Sequence, residues 1–228
     1  MDIPVEGTMA ACTARVEAGQ SLGEAVAAGG VVCLGPGVHA GPLVLTKSVT
    51  LRGEAGAVLD ARGEGSVLRV EDDDLVVRVE ALTLRGGSDE AGGGLSVSGY
   101  SEVVLVGCVV EGNRARGRGD TSGGGGGVHA SRGTVRIEDT TFRGNRAPFG
   151  SDLFVTGVAE VSVRGGVLGG DVVAREGAKV SFDRVKIDGS VDARGTTTRA
   201  PTVRLRGTEA KGGVRNDARL PATMEILP

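Results

Sequence analysis

Residues 153–170 read LFVTGVAEVSVRGGVLGG, and residues 172–189 read VVAREGAKVSFDRVKIDG. Superposed at a step of 19 residues, apolar falls on apolar: Leu153 on Val172, Val161 on Val180, Val163 on Phe182 and Leu168 on Ile187. Each segment holds three short β-prone runs separated by small-residue turns, with alternation inside the middle run. A unit of 19 residues with strands of about five has no room for a helical crossover of ten or more. Successive units must therefore coil, each strand lying parallel above its counterpart. The expected fold is all-β, a right-handed parallel β-helix with three strands per coil.

The same plan runs outward from this stretch. Units begin at Val67, Leu95, Val128, Leu153, Val172 and Val191, so the steps are 28, 33, 25, 19 and 19 residues. The excess is assigned to surface loops, most visibly residues 114–127 (RARGRGDTSGGGGG), where Gly and charge leave nothing to bury. Val110, Phe142 and Ile187 each stand two residues before a Gly and predict an inward apolar column. Asn113 and Asn145 follow two of those glycines, with Ser190 in the same place later. They are read either as a hydrogen-bonded ladder or as turn formers. Ser21-Leu22-Gly23-Glu24 has capping-box spacing before Ala25 to Ala28, which predicts a short N-terminal capping helix over residues 21–28. The expectation is one domain over residues 1–228 with about seven or eight coils. Residues 11–40 form the cap and first coil, 41–214 the coils, and 215–228 a closing segment.

Composition agrees with a narrow layered core. Hydrophobic residues make up 39 % and aromatic residues 2 %, so Val, Leu and Ile must fill the interior. The 41 glycines show no Gly-X-Y period and read as frequent turns. Charge is balanced, 26 Lys plus Arg against 29 Asp plus Glu, which argues against nucleic acid as a partner. No run approaches the roughly 18 apolar residues of a membrane span. The stretch MDIPVEGTMAAC lacks a signal-peptide apolar region, so export requires one upstream of Met1. Three cysteines read as one pair and a remainder. Cys12 and Cys33 bracket the cap and pair in an oxidising compartment, or else are small buried hydrophobes in a cytosolic chain; Cys108 is read as a core residue.

Residues 11–70, with Gly35-Pro36-Gly37-Val38-His39 and Lys47-Ser48-Val49-Thr50-Leu51-Arg52-Gly53, resemble the opening of β-helix proteins of the pectate-lyase-like superfamily. Gly92 to Val97 (GGGLSV), Gly125 to Val128 (GGGV) and Phe142-Arg143-Gly144-Asn145 are similar to polymorphic outer-membrane-protein repeats. The resemblance implies the β-helix fold and a bacterial setting that is extracellular, periplasmic or at the cell surface. It leaves activity open, since such folds carry lyases, hydrolases, adhesins and non-catalytic modules.

Chemistry of the lyase type needs carboxylates converging on Ca²⁺ and a base beside them. Asp152 and Asp171 stand one 19-residue step apart and are the better candidates for metal or catalysis, whereas Asp72-Asp73-Asp74 reads as a solvated turn. Arg184 and Lys186 match the Arg-x-Lys that resembles polygalacturonase-like hydrolases, although alternation turns both to solvent beside inward Val185 and Ile187. His39 and His129 are isolated and read as turn or surface residues. Tyr100 is the one tyrosine and Trp is absent, which weakens a sugar-stacking site. An acidic glycan would instead lie on outward Arg69, Arg78, Arg136, Arg164, Arg175 and Arg194, where Arg164 falls beside Asp183. Residues 117–122 (GRGDTS) resemble an integrin-recognition tripeptide. The leading expectation is a non-catalytic extracytoplasmic scaffold or recognition module, binding polysaccharide or a surface protein without a cofactor. The alternatives are a polysaccharide lyase or glycoside hydrolase on acidic polysaccharide, with Ca²⁺ in the lyase case, and a subunit assembling through its ends.

Overall fold

The computed structural model describes residues 10–117, 123–195, 199–216 and 223–227. The chain winds as a right-handed parallel β-helix whose strands stack into three long parallel sheets. Sheet A has ten strands, from Ala14–Val16 to Thr223–Leu227, and sheets B and C have eight each. One turn of the coil visits A, B and C in that order, as in Lys179–Asp183, Lys186–Ile187 and Val191–Arg194.

The register is the one that alternation demands. In sheet A, Val135, Val161, Val180 and Val203 stack in one inward column, with Ile137, Val163, Phe182 and Leu205 in the next. In sheet B the column runs His39, Leu59, Leu84, Val110, Phe142, Leu168, Ile187 and Ala210. Shifting any strand by one residue would turn these side chains to solvent, so burial fixes the register.

Helix Gly23–Ala28 sits at the N-terminal end, two residues later than the Ser21 start expected. Its N-cap is Leu22 and no side chain caps it; Ser21 Oγ accepts only a long 3.4 Å bond from the Gly23 N–H. Burial of Leu22 and Val26, one turn apart, sets the helix position instead of the capping box. The adjoining first coil is fastened by a disulfide between Cys12 and Cys33, whose Cα atoms are 5.7 Å apart. Cys108 is free and buried.

The segment before Val128 departs from a simple surface loop. Arg114–Ala115 pairs in parallel with Ser88–Asp89, and Gly124 to Gly127 are buried between neighbouring coils. The N–H groups of Gly92, Gly93, Gly94 and Leu95 donate in turn to the carbonyls of Gly124, Gly125, Gly126 and Gly127. A Cβ on Gly126 would lie 2.5 Å from the Arg146 carbonyl oxygen, so this run is glycine because backbones meet there.

Candidate functional site

The outer face of sheet A carries a groove of about 440 Å³. Its geometry follows from one outward column, in which Arg136, Ser162, Ser181 and Arg204 occupy successive rungs. Two serines between two arginines leave a gap in an otherwise long-chained surface. At about 4.8 Å per rung, the arginines bracket roughly 14 Å of serine floor. Glu160 and Lys179, neighbours on the adjoining column, form an ion pair along one side.

The charges of the groove are already matched. Arg136 pairs with Glu102, and Arg204 Nε lies 2.7 Å from Glu225 Oε2. The same pattern covers the rest of the outer face. Glu80 bridges Arg52 and Arg78; burial raises its carboxyl, but hydrogen bonds from both guanidinium groups outweigh this and hold it below the usual range. Arg164 approaches Asp183 at 3.7 Å, as its register predicts. On sheet C the arginines are paired as well, Arg69 with Asp89 and Arg194 with Asp192. The outward arginines therefore make alternating pairs, not a basic stripe.

Asp152 and Asp171 do occupy equivalent positions, one residue before the paired Leu153 and Val172. Their side chains diverge in role. Asp152 is 1 % exposed, and its two oxygens accept from Asn145 Nδ2 at 2.9 Å and the Gly170 N–H at 2.6 Å. Burial pushes its carboxyl above the usual range against those bonds, with Asp171 adding to the rise. Asp171 is exposed, and its Oδ1 accepts from both the N–H and the hydroxyl of Ser190 at 2.8 Å. Arg184 and Lys186 lie exposed on another turn of the helix, beside Asp183 and Asp188. Among the described residues, no three His, Cys, Asp or Glu side chains converge in a way that would hold a metal ion.

Burial corrects the sequence readings of three residues, His39, His129 and Arg175. His39 is fully buried, not on a turn surface, because its strand position points into the sheet B column above Leu59. Its Nε2 donates to the Gly35 carbonyl at 2.8 Å. His129 is also buried, although its position faces out from sheet C. It stacks on Phe154 with ring centroids 5.6 Å apart, Phe149 lies beside that ring, and the Arg175 guanidinium sits 4.5 Å from the Phe149 centroid. Arg175 is consequently buried, not an outward surface cation. A Cβ on Gly124 would come within 2.3 Å of Phe154, so the glycine segment packs directly against this outer layer. Burial lowers the His129 imidazole to about 4.

The Asp72-Asp73-Asp74 turn has a positioning role that the sequence did not disclose. Asp73 Oδ1 accepts the Tyr100 N–H at 2.7 Å, and the Asp74 N–H donates to the Tyr100 carbonyl at 3.0 Å. Arg118 to Ser122, including the Arg-Gly-Asp tripeptide, lie outside the described residues. No helix among the described residues is long and apolar enough to cross a membrane. No protein-family model matches the chain, and no curated protein is similar enough to it to count as a relative.

Proposed function

We propose that this chain is a non-catalytic, extracytoplasmic recognition module that binds a glycan along the outer face of sheet A. The groove floored by Ser162 and Ser181 between Arg136 and Arg204 carries the reading. Its long axis follows the coil axis, its floor offers hydroxyls at rung spacing, and its ends offer guanidinium donors. Neighbouring carboxylates are paired with cations, which suits binding of hydroxyl groups better than acid–base work at the bond between sugars. The Cys12–Cys33 disulfide supports the oxidising setting, and the resemblance of residues 11–70 to pectate-lyase-like proteins supports a saccharide ligand.

A glycan array followed by calorimetry tests this reading. Binding that is lost in Ser162→Arg and in Ser181→Arg, with the fold intact by circular dichroism, is the expected result. Turnover of any bound polysaccharide, or binding unaffected by both substitutions, would overturn it.

The far end of the helix favours a second reading, assembly through that end. On the last strand of sheet A, Ile226 is 68 % exposed and Leu227 50 %, beside a half-buried Met224 that packs on the core. Sedimentation across a concentration series should then show a larger species that Ile226→Lys dissolves. A single-chain mass throughout would remove this reading.

A further inference from the structure

Just before each sheet A strand, the coil turns a corner out of sheet C, and four successive corners enclose a depression of about 400 Å³. Tyr100, Ser131, Arg132, Thr156, Val158 and Glu176 line it. Tyr100 is the one tyrosine of a chain without tryptophan, and it is 56 % exposed. Hydrophobic burial does not explain an aromatic in that place. Its backbone is held on both sides by the aspartate turn described above, so the ring is presented from a fixed base. The Arg132 guanidinium carbon lies 5.7 Å from the ring centroid, which further restricts the ring.

The polar groups around the ring point to a ligand. Thr156 is 4 % exposed, and its hydroxyl finds no hydrogen-bond partner among the described residues. A buried hydroxyl in that state has an unfilled donor and acceptor. Arg132 supplies donors on one side and the half-buried Glu176 carboxylate acceptors on the other. Val158, 43 % exposed, adds an apolar contact one coil from Arg132.

We propose that this corner is a saccharide subsite that stacks one neutral hexose ring on Tyr100 and places the next over Thr156, between Arg132 and Glu176. An aromatic face with a polar tip suits the C–H face of a pyranose, and a rigidly held tyrosine loses little entropy on binding. Hydroxyls of the neighbouring ring take up the Thr156 hydroxyl and accept from Arg132. Glu176 disfavours a sugar carboxylate and accepts hydroxyl donors. The corner adjoins the groove, because Arg132 and Val158 stand two residues before Thr134 and Glu160, which line it. The assignment rests on the glycan reading given above for its ligand class, yet its residues are separate from the groove.

Tyrosine emission tests it directly, since Tyr100 is the sole tyrosine and no tryptophan masks it. Titration of the full chain with cellotetraose and with maltotetraose should give a saturable change in emission for one of them. Thr156→Val, which preserves shape, should weaken that binding by roughly fivefold or more, and Arg132→Ala likewise. Ser181→Arg, which blocks the groove floor, should leave the tyrosine response in place. No saturable response to either sugar, a response only to tetragalacturonate, or an affinity unchanged in both corner variants would overturn the assignment. Calorimetric affinity reduced in the groove variants while tyrosine emission stays flat in every protein would sink the corner alone, whereas a tyrosine response with calorimetric affinity unchanged in both Ser162→Arg and Ser181→Arg would sink the groove alone.

Discussion

The side-chain amide of Asn145 reaches across the coil spacing to Asn113: its Oδ1 accepts from the Asn113 N–H at 3.1 Å and from Asn113 Nδ2 at 3.2 Å. Its own Nδ2 donates to the Val110 carbonyl and to Asp152, each at 2.9 Å. Asn113 repeats the pattern one coil earlier, donating to the Leu84 carbonyl at 3.0 Å and accepting from the Gly87 N–H at 2.9 Å. Both residues are buried, so the ladder spans the turn from sheet B with every amide hydrogen and oxygen used.

Breaking this ladder should be costly. Asn145→Ala leaves the Asn113 amide and one Asp152 oxygen without their partner in a buried setting, and is expected to lower stability by about 3 kcal/mol. Asn113→Ala should cost a similar amount, and the double variant less than the sum of the two, because the pair shares bonds. Urea denaturation of the four proteins checks this; additive losses would show that the two amides act independently.

His129 should make stability depend on pH. Its folded value of about 4 lies below the ordinary 6.5, so the unfolded chain binds the proton more readily. Its contribution is complete above 6.5, declines as pH falls below that value, and has lost about 3 kcal/mol once pH is below 4. The raised Asp152 carboxyl works in the opposite direction, gaining stability when protonated. His129→Leu keeps Asp152 and the paired carboxylates such as Glu80 and removes the imidazole, so between pH 6.5 and 4 it should lose less stability than the parent chain, by up to about 3 kcal/mol. Chemical denaturation at a series of pH values measures the difference, and parallel curves for the two proteins would contradict it.

The Cys12–Cys33 bond closes a sequence separation of 21 residues around the capping helix. By the chain-entropy relation its removal in Cys12→Ser should cost about 3 kcal/mol. The effect should concentrate at the N-terminal end, where hydrogen exchange of Val32 to Leu34 is expected to accelerate before that of Val161 to Val163. Uniform acceleration along the helix would mean that the cap and the later coils unfold as one unit.

Cys108 should be chemically silent in the folded protein. Burial pushes its thiol up to about 11, and its Sγ contacts the carbonyl oxygens of Val79 and Val106 at 3.4 Å. Alkylation at neutral pH without reductant should leave the folded chain unmodified and label one cysteine after denaturation. Rapid modification of the folded chain would show that the coil opens around sheet B.

Apart from His39, which the sequence left on a turn surface and the fold places in the sheet B column, the inward half of this protein was legible from its residues alone. Alternation in segments such as residues 179–183 places Val180 and Phe182 inside whatever else happens, and the 19-residue step stacks Leu168 on Ile187. Those are local constraints, set by a side-chain period of two and by strands too closely spaced for any crossover. They also placed Asp152 level with Asp171 and Arg164 beside Asp183. What faces outward was decided only in three dimensions. His129 and Arg175 sit at positions that alternation turns away from the core, and they are buried because Phe149 and the glycine segment pack over sheet C. The same holds for the serine floor between Arg136 and Arg204 and for the aspartate turn beneath Tyr100. A period fixes which face a side chain takes, but what covers that face depends on contacts between coils whose separation in sequence varies from one turn to the next.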